Sequence, residues 1–103
     1  MAVFVALLPN GLKLVKASGT GPGSDTVVGA GASGTVAITV DMPEVSRVVL
    51  GAVMNVSGLP TGVVLKGWSI SHGSITLSLF NPTGSDVTVT TDSVSVDLLI
   101  IGS

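Results

Sequence analysis

Residues 35–41 read TVAITVD, which puts Val36, Ile38 and Val40 on one side of an extended chain and Thr35, Ala37 and Thr39 on the other. A side-chain period of two belongs to a strand with one buried face, because on a helix the faces repeat about every 3.6 residues. The stretch is bounded by Gly31-Ala32-Ser33-Gly34 and by Met42-Pro43, both turn-forming. The same grammar continues upstream. Residues 2–8 (AVFVALL) form an apolar run closed by Pro9-Asn10-Gly11, and 12–17 (LKLVKA) alternate, so 1–17 read as a hairpin or N-terminal arm. Residues 18–24 (SGTGPGS) carry three glycines and Pro22 and read as a flexible exposed loop. Residues 25–30 are a short strand.

Downstream, residues 47–56 (RVVLGAVMNV) place Val48, Leu50, Ala52, Met54 and Val56 on one face, with Val49 and Val53 on the other. Such a strand is expected to be covered on both sides. Residues 57–62 turn, 63–71 and 74–80 form a hairpin through His72-Gly73, 81–85 (NPTGS) turn again, and 86–91 and 93–101 complete the set. Val94, Val96, Leu98 and Ile100 mark the core face of the last strand, while Leu99 and Ile101 add apolar groups on its other face. The expected fold is all-β: one antiparallel sandwich or barrel over 1–103, jelly-roll or Greek-key-like, of about eight strands.

Composition narrows the function. Of 103 residues, 46% are hydrophobic and 10% charged, against about 25% charged in an ordinary domain, and the mean hydropathy is +0.79. A surface so poor in charge points to burial against partners. A net charge of -2 with four cations (Lys13, Lys16, Arg47 and Lys66) supplies no basic stripe for nucleic acid. With no cysteine there is neither a disulfide framework nor a thiolate site. No cationic segment precedes residues 2–8, so they read as a strand and not a secretory signal, and no apolar run approaches the roughly 20 residues of a membrane-spanning helix.

Each chemical motif has a plainer reading. Residues 29–34 (GAGASG) satisfy G-x-G-x-x-G, but a strand follows where a dinucleotide site needs a helix N-terminus, so they are a glycine-rich turn. His72, the one histidine, sits at a hairpin tip, and the carboxylates Asp25, Asp41, Glu44, Asp86, Asp92 and Asp97 fall mostly at strand ends without calcium-loop spacing. Asn55-Val56-Ser57 matches a glycosylation acceptor but nothing takes it to a secretory route, and Asn81-Pro82-Thr83 is barred by its proline. Trp68 is a lone aromatic that reads as an anchor; a sugar-stacking role is the alternative. No catalytic, metal or cofactor residue is assigned.

Residues 32–40 (ASGTVAITV), the apolar strand from Arg47, residues 73–84 (GSITLSLFNPTG) and the closing 94–102 together resemble small structural proteins of tailed bacteriophages, in particular head decoration (cement) proteins. The resemblance implies a non-enzymatic virion protein on the capsid surface, made in the host cytoplasm. It implies a homo-oligomer, a trimer by preference, that braces neighbouring major capsid subunits without cofactor, nucleic acid or membrane. Contacts would then fall on the two-faced strands and the N-terminal arm, at Phe4, Val49, Val53, Trp68, Leu99 and Ile101. The alternative is a tail-fibre, spike or adhesin module binding carbohydrate through Trp68. A hydrolase using His72 stands third.

Overall fold

The computed structural model describes residues 2–103, with side chains described from residue 5 onward. Among the described residues nine strands occur: β1 (Ala2–Leu7), β2 (Lys13–Gly21), β3 (Thr26–Val28), β4 (Ser33–Thr39), β5 (Val48–Ser57), β6 (Val64–Ser71), β7 (Ser74–Phe80), β8 (Val87–Val89) and β9 (Val94–Gly102). One 3-10 turn, Pro9–Gly11, separates β1 from β2. The strands form a four-stranded sheet ordered β1-β2-β9-β5, a three-stranded sheet ordered β4-β7-β6, and a β3-β8 pair, with every pairing antiparallel.

The pairing is nested. Strand β2 lies on β9, β3 on β8 and β4 on β7, so these six strands behave as a two-stranded ribbon rolled across itself, similar to the wind of a jelly roll, while β5 joins β9 and β6 joins β7. Gly21↔Val94 and Thr26↔Val89 keep one register across the first bend, and Ser33↔Phe80 resumes after a two-residue shift at the second. Rolling brings the inner face of β2 and β9 (Val15, Ala17, Val94, Val96, Leu98 and Ile100) over that of β4 and β7 (Val36, Ile38, Ile75, Leu77 and Leu79). All of these residues are buried, and each Val, Leu or Ile among them contributes about 1.5–3 kcal/mol on leaving water fully. The clean alternation of 35–41, 74–80 and 94–100 is the imprint of this one shared core.

Where the ribbon bends between sheets, side chains take over from the backbone ladder. At the first bend Asp25 Oδ1 accepts hydrogen bonds from the Thr91 backbone N–H and Thr91 hydroxyl, both at 2.8 Å, and the Asp92 N–H donates to Pro22 O at 2.9 Å. At the second, Ala30 N–H donates to Asp86 Oδ1 at 3.0 Å. Asn81 is fully buried there. Its Nδ2 donates to Val28 O (3.0 Å) and Ser85 O (2.8 Å), its Oδ1 accepts from Thr83 N–H (2.9 Å) and the Thr83 hydroxyl (2.6 Å), and its backbone N–H donates to Ala32 O (2.9 Å). Replacing Asn81 by Ala strands several of these groups out of water, so chemical denaturation should show a loss of about 3 kcal/mol. An unchanged midpoint would mean that the bend does not depend on it.

The two bonds from Thr91, the backbone N–H first and the hydroxyl second, favour the charged carboxylate of Asp25 and hold its pKa below the usual 3.8 against a weaker opposing effect of burial. A depressed carboxylate pKa stabilises the fold above the unfolded value and loses that contribution as pH falls through the folded one. The carboxyl resonance of Asp25 should therefore titrate with a midpoint below 3.8, and Asp25→Asn should flatten the acid limb of the stability profile. A midpoint at or above 3.8 would show that the bend is not held this way.

Three expectations change. Residues 18–24 are not a free loop: β2 runs on through Gly21, and Gly21 and Pro22 are buried. Glycine is needed because β4 passes close by; a Cβ on Gly19 would stand 2.4 Å from Thr39 O. Second, β5 is an edge strand, and this chain covers one of its faces only. Bulges between Val48 and Leu50 and between Val53 and Asn55 each reset the alternation, so Gly51 and Val53 turn inward while Leu50 and Met54 turn out. Third, the strands expected over 25–30 and 86–91 shrink to the three-residue pair β3 and β8.

The molecule is long and narrow, with principal extents of 50 × 20 × 17 Å and a radius of gyration of 14.7 Å. A compact domain of this length would have about 13 Å. The two sheets thus present long outer faces for a modest core.

Candidate interaction surface

The outer face of the four-stranded sheet is built from the residues that alternate with the core set. Register aligns them in rows across the strands: Ala6, Leu14, Ile101 and Leu50 in the first, Lys16, Leu99 and Ala52 in the second, Ser18, Asp97 and Asn55 in the third. The face therefore grades from apolar at one end to polar at the other. Leu50 is 63% exposed, and the bulge residues Val49 and Met54 on the same edge strand are 52% and 54% exposed. A shallow depression of about 340 Å³ lies on the polar half, bordered by Lys16, Ser18, Met54, Asn55 and Asp97. Isolated exposed aliphatics are ordinary, but a contiguous row across a sheet is characteristic of a contact surface.

The outer face of the three-stranded sheet has the opposite chemistry. Its rows read Thr39, Ser74 and Ser71, then Ala37, Thr76 and Ser69, then Thr35, Ser78 and Gly67. Seven of these nine carry a hydroxyl and none a charge. A fourth row at the end of the sheet, Ser33, Phe80 and Val64, adds two apolar groups, and Val64 is 53% exposed. Over the other three rows the face is uncharged and rich in hydroxyls, whereas the four-stranded sheet carries an apolar row at one end of its outer face.

The residues expected to make contacts are dispersed by the fold. Leu99 and Ile101 lie half-buried on the apolar outer face, and Val49 stands on the adjoining β5 bulge. Val53 turns inward and packs against the core. Trp68 belongs to the other sheet, on its edge strand β6 opposite Leu77, and is 47% exposed. The side chain of Phe4 lies outside the described residues. Leu14, Leu50 and Met54 complete the surface without having been singled out: Leu50 and Met54 were grouped with Val48 and Val56, and no residue in 47–56 signals the bulges that part them.

Several titratable groups are engaged in holding the fold. His72 Nε2 lies 2.9 Å from Val45 O; a carbonyl accepts only, so this nitrogen carries the proton and ties the hairpin tip to the segment before β5. The turn is made by Gly73 at φ +82, while His72 itself keeps a negative φ. Lys13 Nζ reaches the same segment, donating to Glu44 O at 2.8 Å. Asp25 and Asp86 cap the ribbon bends. Residues 29–34 form the turn their glycines suggest, closed by Ala32 N–H to Gly29 O at 3.0 Å and leading into β4. Among the described residues no three His, Cys, Asp or Glu side chains gather as a metal site would require, and no helix is long and apolar enough to cross a membrane.

No family model, curated protein or solved structure matches the chain.

Proposed function

We propose that this chain is a non-enzymatic structural protein of a virion, a capsid decoration protein that stabilises the shell by binding across major capsid subunits as a homo-oligomer. The observation that carries the reading is the asymmetry of the sandwich. An apolar row crosses one outer face at Ala6, Leu14, Ile101 and Leu50, and three of the four rows of the opposite face are mostly hydroxyls. A module made to lie against other proteins with one side and face water with the other has this form. The single imidazole is committed to Val45 O, which favours a structural role over a catalytic one.

The test is presence and effect. Mass spectrometry of a purified virion should find the chain in many copies, and adding it back to stripped shells should raise their resistance to heat. Absence from the particle, together with no affinity for any shell, would end this reading. The carbohydrate alternative rests on the half-exposed Trp68, which lies on the sheet opposite the depression near Asp97. Specific glycan binding that Trp68→Ala abolished would favour that alternative instead.

A further inference from the structure

We infer that Asn10 is a site of spontaneous covalent modification, where the folded chain converts its own side-chain amide to a mixture of isoaspartate and aspartate. The inference does not depend on the reading of the chain as a decoration protein. It rests on the sequence's three asparagines, Asn10, Asn55 and Asn81, which the fold places in three different settings. An asparagine amide is lost when the next backbone nitrogen attacks its Cγ, which requires an N–H, space around that nitrogen and freedom in ψ. Asn81 has none of these: Pro82 carries no N–H, and the buried carboxamide is held by Val28 O and Ser85 O. Asn55 lies within β5, where pairing with β9 fixes the backbone and the β-branched Val56 crowds the nitrogen. Asn10 is exposed in the 3-10 turn between β1 and β2, and its neighbour is Gly11, also exposed. Gly11 has no side chain beside its nitrogen, and no atom lies within 4 Å of where a Cβ would stand. Both residues take positive φ, +65 and +75, which Asn and Gly tolerate best. The pair that suits this turn is thus also the reactive pair.

The step balances without any partner but water. The Gly11 nitrogen forms a bond to Asn10 Cγ, the Cγ–Nδ2 bond breaks, and the Gly11 amide proton leaves with the –NH2 group as ammonia, closing a succinimide. Water then opens the ring: addition at Cγ gives aspartate, and addition at the Asn10 main-chain carbonyl carbon gives isoaspartate, with the chain now running through the side chain. The fold sets the pace. At ψ +26 the Gly11 nitrogen is rotated away from Cγ, so ring closure waits for the turn to open. Little holds it shut: the Leu8 N–H donates to Leu12 O at 2.7 Å, and β1 beyond it is an edge strand paired to β2 alone. The product alters one end of the sandwich. Leu7↔Lys13 is the last pair before the turn and adjoins Ala6↔Leu14 in the apolar row, so either product puts a carboxylate beside that row, and isoaspartate also lengthens the turn's main chain by a methylene.

Incubation of the full chain in mildly alkaline buffer, sampled over weeks and read by peptide mass spectrometry, tests this directly. Asn10 should convert at least about tenfold faster than Asn55 or Asn81, a barrier lower by about 1.4 kcal/mol or more, and both isoaspartate and aspartate should form. The rate should rise with pH, because the Gly11 nitrogen attacks only after losing its proton. Gly11→Ala, which sets a Cβ beside that nitrogen, should slow the conversion about tenfold. Asn10→Gln, whose longer side chain has to close a larger ring, should keep its amide throughout. Circular dichroism checks that each variant is folded, and the wild-type comparison of the three asparagines decides the matter without either. An Asn10 that stays intact to the end of the incubation overturns the inference, as does faster loss at Asn55 or Asn81. Conversion to aspartate alone overturns it too, since that is the product of direct hydrolysis and not of ring closure.

Discussion

Gly58→Ala should be among the most damaging single changes in the chain, lowering unfolding free energy by about 3–4 kcal/mol. Gly58 follows β5 directly and takes φ +83, the left-handed region, and a Cβ built there falls 1.9 Å from Ser93 O and 3.0 Å from the Ser93 carbonyl carbon. The left-handed conformation costs a side-chain-bearing residue about 1–2 kcal/mol, and forcing packed atoms apart adds about 1–3. The obstacle is backbone at the entry to β9, so relief requires moving the strand that pairs with both β2 and β5. Gly67→Ala is the control: no atom lies within 4 Å of its Cβ position and its φ is not left-handed. It should leave stability within about 0.5 kcal/mol of the parent. Urea denaturation of the two variants side by side gives the comparison, and equal midpoints would refute the close approach.

Leu77→Ala should cost about 4 kcal/mol. Leu77 is fully buried on β7, the middle strand of the three-stranded sheet, where it pairs with Val36 on one side and Trp68 on the other. Truncation loses the transfer of the side chain and leaves a cavity that strands held on both sides relax into poorly; such changes cost about 2–5 kcal/mol. In a domain of about this size each kcal/mol shifts the melting temperature by about 4–8 °C, so a fall of roughly 20 °C is expected by calorimetry. Leu50→Ala, on the exposed edge, should move the unfolding of the isolated chain by no more than about 0.5 kcal/mol. Two leucines of one sequence would then differ severalfold in effect, and a large loss at Leu50 in a monomer would show that β5 is covered by its own chain.

Strands with one uninterrupted buried face were legible. Residues 35–41, 74–80 and 94–100 are recovered in β4, β7 and β9, and Val36, Ile38, Val94, Val96, Leu98 and Ile100 point inward as their alternation predicts. Strand β5 was not legible in detail, because a bulge moves every later side chain to the other face without requiring a marker residue. Residues 18–24 misled for a different reason. Glycine permits both a mobile loop and a close passage of two strands, and only Thr39, twenty residues further on, makes the second true at Gly19. Asn81 read as part of a disqualified glycosylation signal; its place at the second bend depends on Val28, 53 residues away. The apolar row was half visible: Leu99 and Ile101 broke the alternation of 93–101, whereas Leu14 and Leu50 join them only through strand pairing.

The nested ribbon also sets an order of events. Joining β4 to β7 brings the ends of β3 and β8 together, and joining those does the same for β2 and β9, so each pair closes a gap of only a few residues left by the one before. Once β4 has met β7 across the 34 residues between Thr39 and Ser74, the later pairs close outward with a small entropic cost at each step. The apolar row is finished at the end of this process, since Ala6 and Leu14 come from one end of the chain, Ile101 from the other and Leu50 from the middle. A partly folded molecule does not yet own the surface by which it would associate. On the proposed function, association would be reserved for chains that have completed their roll.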